Sequence, residues 1–164
     1  MNNPTKQLAQ ETHARKYRHS GESFRDYAAR VAGVLSEDEQ GFHRLKEILA
    51  SRLFLPAGRI QSAIGAPTEV TALNCFVSGT IEDSMDGIMK AATEAAETMR
   101  KGGGIGFDFS TIRPKDAIIS TLGSKSSGAV SFMQIFDAVC GTVSSAGDRR
   151  GAMMGVLRVD HPDI

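Results

Sequence analysis

The sequence predicts an α/β fold in which a helical N-terminal segment, residues 1–54, precedes the first portion of a larger α/β domain, residues 55–164. Three observations predict it. Composition changes near Pro56, from charge and helix formers to glycines and short β-branched runs. Before that point, apolar residues recur at three- and four-residue steps, the period of a helix. From Leu73 onward, strand-like runs alternate with amphipathic stretches, the pattern of strands joined by crossover helices.

Phe24, Tyr27, Ala28, Val31 and Leu35 form one apolar stripe, and Phe42, Leu45, Ile48, Leu49 and Leu53 a second. Between them Ser36 is expected to cap the second helix, with Glu39 as its capping-box partner. Pro56 ends this αα unit, because proline disfavours helical backbone in the residue before it. Residues 56–70, with two prolines and two glycines, read as a loop. A strand is expected over 72–77. A helix follows, capped by Asp83 or Ser84, with Met85, Ile88, Met89, Ala92, Ala96 and Met99 on its buried face. Arg100 and Lys101 suit its negative C-terminal end, and three glycines stop it. Alternation over 105–109 marks a second strand. Residues 110–128 form a long polar loop with a short extended piece at Ile118 and Ile119, and a loop of this length is usually functional. A helix over 130–143, a Gly- and Arg-rich loop and a strand over 155–159 complete the order. Three strands cannot close a barrel and leave both edges open, so poor stability alone, or association, is expected.

Lys and Arg total 19 and Asp and Glu total 19, a formal net charge of +0. That balance argues against sequence-independent nucleic-acid binding, which needs a cationic excess to displace counterions. No apolar run approaches the roughly 20 residues of a membrane span, and the N-terminus lacks a signal-peptide core. Two cysteines, neither in a CxxC pair, fit neither a disulfide scaffold nor a zinc ribbon, so a reduced cytoplasmic compartment is expected.

Several residues could carry chemistry. Cys75 lies within a predicted strand. A buried core thiol is the commoner situation; a redox thiol facing a pocket would need a second cysteine. Cys140 falls on the apolar face of a helix and reads as core. The run from Gly102 to Gly106 suggests a nucleotide loop, but its order is helix, glycines, strand. Dinucleotide and P-loop sites need the reverse, with phosphate at a helix N-terminus. The glycines instead either permit close backbone approach or simply stop the helix. Arg113 with Lys115, and Arg149 with Arg150, suit phosphate or base contacts as well as plain surface charge. His161, between Asp160 and Asp163, has no standard metal spacing.

Five motifs in order (NCFV at 74–77, EDSMDGI at 82–88, KGGGIGFDFSTIRPK at 101–115, SSGAVSFMQIFD at 126–137 and DRRGAMMGVLRVDHPDI at 148–164) resemble ribonucleotide reductase, most nearly the adenosylcobalamin-dependent (class II) large chain. The resemblance covers about residues 50–164; the first fifty match only in being helical and lack the ATP-cone motif. It implies a ten-stranded α/β barrel of two five-stranded halves, of which this chain supplies the beginning. Cys75 matches one of two cysteines that become a disulfide as the ribose 2′-hydroxyl leaves as water. Asn74, often Ser in relatives, matches a substrate contact. Gly103 and Gly104 match the backbone approach to substrate. Ala57 falls where some relatives place a hydroxyl residue near the substrate phosphate, and here that hydroxyl is missing.

Asp83 and Ser84, with neighbouring Met85, match the contact to the sugar of a dNTP or ATP effector. Arg113 and Lys115 match its phosphate site, and residues 110–128 the first effector loop. Residues 144–152 match the second loop, with Arg149 toward the substrate base and its neighbour Arg150 among the effector-binding residues. The helices at 83–101 and 130–143 match a homodimer interface. The resemblance further implies a ribonucleotide substrate, a thioredoxin-type reductant, and adenosylcobalamin held largely by the remainder of the enzyme. The radical cysteine, the partner of Cys75, an Asn and Glu pair and the C-terminal reducing cysteines all fall beyond Ile164. The chain is therefore expected to be a fragment, inactive without the remainder of the reductase. Two other readings stand beside this one: a non-catalytic dNTP-binding or dimerising remnant, and a class I iron- or manganese-dependent reductase.

Overall fold

The computed structural model describes residues 4–143 and 151–164, which fall into two compact units, 1–73 and 74–164. No helix among the described residues is long and apolar enough to cross a membrane.

The first unit is helical: α1 Pro4–Tyr17, α2 Phe24–Leu35, α3 Glu39–Ala50 and α4 Gly58–Ala63. Tyr27, Ala28 and Val31 of α2 pack on Leu49 of α3, so both stripes find each other. A capping box starts α2, in which the Ser23 hydroxyl accepts from the Asp26 amide and the Asp26 carboxylate accepts from the Ser23 amide. The expected Ser36 cap of α3 is not made. The Ser36 amide closes α2 on the Ala32 carbonyl, and Asp38 caps α3 by accepting from the Gly41 amide at 2.6 Å. Asp38 lies two residues on, and its charge favours a helix N-terminus. Leu53 lies beyond α3 and is exposed, so the second stripe stops at Leu49.

Helices α1 and α4 go beyond the sequence pattern. The former carries no apolar stripe, and the latter lies within the predicted loop and is too short to show one. Polar contacts hold them. Arg30 pairs with Glu22 at 2.6 Å and donates to the Gln61 carbonyl, and the Gln61 amide bridges the His13 ring and the Pro56 carbonyl. Burial of the His13 ring among Tyr17, Phe24 and Tyr27 pushes its pKa down.

The second unit holds β1 Cys75–Val77, α5 Met85–Arg100, β2 Gly104–Asp108, β3 Ile118–Ile119, β4 Ser124–Lys125, α6 Ala129–Thr142 and β5 Met153–Val156. Strands β1, β2 and β5 form a parallel sheet in the order β1-β2-β5, while β3 and β4 make a separate antiparallel hairpin. Parallel pairing requires the crossovers that the alternating pattern predicts. Helices α5 and α6 cover one sheet face. Their Ile88, Ala92, Met99 and Phe136 meet Ile105 and Phe107 of β2. At the centre, the Phe136 ring stands edge-on to Phe107 and Phe109, with centroids 4.8 and 5.0 Å away.

Three expectations shift. The first strand is shorter than 72–77. The last lies at 153–156 rather than 155–159, because Met153 and Met154 pair with Ile105 and Gly106 while Val159 is exposed. The α5 stripe runs through Ile88, Ala91, Ala92, Ala95 and Met99. It leaves Met85 and Met89 exposed, because the helical turn sets them to one side of that stripe.

Candidate functional site

Paired residues in a parallel ladder share a sheet face, and successive residues alternate. The register Cys75↔Gly104, Val77↔Gly106 and Gly106↔Met154 therefore sorts the sheet into two sides. Phe76, Ile105, Phe107 and Met153 face the helices. Cys75, Val77, Gly104, Gly106, Asp108, Met154 and Val156 face the other way, where no described element of this unit covers them; Val77 is 94% exposed. Cys75 is exposed and unbonded, not the buried core thiol that its strand position favours. Cys140 packs at the margin of the core on the helix side, so the two sulfurs lie on opposite faces.

Beside Cys75, β2 presents backbone with no side chain at Gly104 and Gly106. The Gly104 amide donates to the Asn74 carbonyl at 2.9 Å. A Cβ at Gly104 would meet the Ala152 carbonyl at 3.3 Å, so glycine keeps the floor flat. Gly103 differs. It is buried, and a Cβ there would strike the Phe76 ring at 2.6 Å, so this glycine serves packing rather than an open approach. The Ser110 hydroxyl, and then its amide, stabilise the Asp108 carboxylate at the rim and hold its pKa below the usual range. Ala57 begins α4 in the first unit, exposed and without a side-chain cap. Arg149 and Arg150 lie outside the described residues.

A second feature lies at the start of α5. A cavity of about 350 Å³ is lined by Asp83, Ser84, Met85, Arg113, Lys125 and Phe132, among others. Four of these walls, Asp83, Ser84, Met85 and Arg113, are ones the sequence points to. Asp83 holds Arg113 three times: its carboxylate accepts from the Arg113 amide at 3.2 Å and from Nε at 2.7 Å, and its backbone carbonyl accepts from Nη2 at 3.3 Å. The Ser84 hydroxyl accepts from the Gly87 amide and caps α5, settling which of the two candidates does so. The Thr111 hydroxyl donates to the Ile81 carbonyl at 2.6 Å, tying the 110–128 loop to the chain before α5. Lys115 is exposed and is not among the lining residues; its backbone amide is bound to Asp163. Lys125 and Phe132 escape sequence reasoning. The hairpin that brings Lys125 in has only two residues per strand, too few for alternation to show.

An open parallel sheet with helices on one face, an exposed thiol beside a glycine-bearing strand and a charged pocket at the head of its crossover helix together define a domain of the α/β class. The family model described as ribonucleotide reductase, barrel domain, matches residues 73–164, more than half of the chain. The chain belongs to the ribonucleotide reductase family. It is 39% identical over 123 residues to the vitamin B12-dependent ribonucleoside-diphosphate reductase of Thermoplasma acidophilum, a match covering 74% of this chain and 16% of that one. The Mycobacterium tuberculosis protein of the same description is 41% identical over 121 residues, covering 74% and 17%. The vitamin B12-dependent ribonucleotide reductase of Streptomyces clavuligerus is 34% identical over 149 residues, covering 90% and 15%. The chain thus spans about a sixth of the length of these relatives. The solved class Id ribonucleotide reductase alpha subunit of Actinobacillus ureae shares the fold, with a TM-score of 0.82 at 24% identity, over 96% of this chain and 28% of that one.

Proposed function

We propose that this chain is the N-terminal part of a cobalamin-dependent ribonucleotide reductase, with residues 1–54 as a helical segment and 55–164 as the first portion of the barrel. The observation that carries the proposal is the exposed thiol of Cys75, paired in register with Gly104 on the uncovered sheet face. A substrate ribose laid against the Gly104 backbone would have that sulfur beside it. Cys75 and a second thiol from the remainder of the reductase give up two electrons and two protons and form one disulfide. The ribose C2′–O bond breaks, hydrogen replaces the hydroxyl, and the oxygen leaves as water. A thioredoxin-type reductant then restores both thiols. Asn74, through its backbone, Gly104 and Arg149 contact the substrate in this reading.

Adenosylcobalamin supplies the radical when bound. The described residues do not fit it by themselves. The cavity at the start of α5, at about 350 Å³, is far smaller than a corrin with its adenosyl group. The cofactor is therefore assigned to the remainder of the enzyme, and the steps assigned to this chain do not pass through it.

The cavity at the start of α5 is assigned to a dNTP or ATP effector. Asp83 and Ser84 meet its sugar, Met85 lies alongside, and Arg113 serves its phosphates; Lys115, outside the cavity lining, and Arg150, outside the described residues, are assigned to the effector by resemblance alone. Because Asp83 already orients the Arg113 guanidinium, the cation is fixed before the ligand arrives. Arg113→Ala is expected to weaken dNTP binding about 10- to 100-fold, measured by equilibrium dialysis; unchanged affinity would remove the effector from this pocket. The exposed methionines of α5 suit a homodimer contact.

The deciding experiment assembles this chain with the rest of the reductase and assays conversion of ribonucleotide to deoxyribonucleotide. Activity that requires added cobalamin is expected. Activity with iron or manganese instead would reassign the class. Binding of dNTP without any reduction would leave a non-catalytic effector module.

A further inference from the structure

The His-Pro-Asp sequence near the end of the chain has no metal spacing and no part in the redox chemistry, yet its contacts are unusually specific. The Asp163 carboxylate accepts from the Lys115 amide at 3.0 and 3.1 Å and from the Ala129 amide at 2.9 Å. Those two amides stand at the two stems of the 110–128 loop, and Ala129 is the first residue of α6. The N-cap position of α6 is Gly128, which has no side chain to cap it, so Asp163 caps the helix from a distant part of the chain. Gly128 sits at φ 87°, and a Cβ there would meet the Asp163 carboxylate at 2.6 Å and the Lys115 amide at 2.7 Å; the stem is shaped around that carboxylate.

His161 holds the aspartate in place. The Asp163 amide donates to His161 Nδ1 at 3.1 Å, so Nε2 carries the ring proton and donates to the Ile112 carbonyl at 2.9 Å. The ring is buried at 8% exposure. Ile112 adjoins Arg113, which lines the proposed effector pocket. The segment after β5 thereby grips the loop beside Arg113, at Lys115 and at the head of α6.

We propose that Asp163, set by His161, is a positioning residue for nucleotide binding. It touches no ligand; it fixes both stems of the loop that walls the pocket, so that the loop is ordered before nucleotide arrives. This inference rests on the effector reading of that pocket. It also places the residues that follow β5, rather than the loop alone, in control of effector affinity.

The test uses the chain assembled with the rest of the reductase. Asp163→Asn and Asp163→Ala are compared with His161→Gln, which can still donate to Ile112 but offers no ring nitrogen to the Asp163 amide. Val139→Ala, a core truncation elsewhere on α6, is the control for general loosening. Dissociation constants for a dNTP are measured well below every unfolding midpoint, with hydrogen exchange followed over residues 110–132. The expected result is a roughly tenfold weaker dNTP affinity for Asp163→Ala, the loss of a charge-assisted cap and clamp. Smaller losses are expected for Asp163→Asn and His161→Gln, faster exchange at Lys115 and Ala129 in all three, and unchanged affinity for Val139→Ala. Wild-type affinity in the Asp163 variants, or equal weakening in Val139→Ala, overturns the proposal. If the unaltered protein binds no dNTP, the pocket reading itself fails and this inference falls with it, an outcome visible before any variant is made.

Discussion

In a reductase assembled with this chain, Cys75→Ser ends multiple turnover and leaves dNTP binding at its wild-type affinity. A hydroxyl cannot form the disulfide, so the two electrons needed at the ribose have no source on this strand. Steady-state conversion should fall at least about a hundredfold, equivalent to about 2.7 kcal/mol. The substitution is close in size and lies on the uncovered sheet face, away from the packed core, so the thermal midpoint should hardly move. The cavity proposed for the effector is lined by other residues and should bind as before. Loss of dNTP binding alongside activity would make Cys75 a structural residue and would remove the principal support for the enzymatic reading.

Phe136→Ala should cost about 3–5 kcal/mol of stability, the range for deleting a buried aromatic ring. The ring is 1% exposed and packs edge-on against both Phe107 and Phe109, contacts worth about 0.5–1.5 kcal/mol each beyond area alone. Stabilities of small domains lie near 5–15 kcal/mol, so this one change would take much of the margin. Urea unfolding followed by circular dichroism measures it. A loss below about 1 kcal/mol would show that α6 is held by something other than its docking on β2.

The helices of the second unit are legible in the sequence because their stripes are long and face a single sheet. Ile88, Ala92 and Met99 recur at a period that only a helix satisfies, and the structure buries all three. Strand ends are less legible. Met153 and Met154 carry no β-branched signal and become strand only because β2 lies beside them with free backbone groups. In the first unit, α1 and α4 depend on Arg30, Glu22, Gln61 and His13, polar residues whose partners lie far apart in sequence, and periodicity cannot see such contacts. At the candidate site, Asp83, Ser84 and Arg113 are legible as capping or phosphate-type residues beside a strand. Lys125 is not, because a two-residue hairpin decides its place. Cys75 is ambiguous for a physical reason: a lone cysteine within a strand carries no mark of which face it occupies until the register is known.

That register is held by burial and not by the thiol. Cys75 lies opposite Gly104 while Ile105 and Phe107 stay packed on the helices. A slip of β2 by one residue would reverse its parity. Ile105 and Phe107 would then stand beside the sulfur and the glycines would face the helices, with every original side chain still present. Those two buried side chains are thus as much a determinant of the candidate site as the identity of the cysteine.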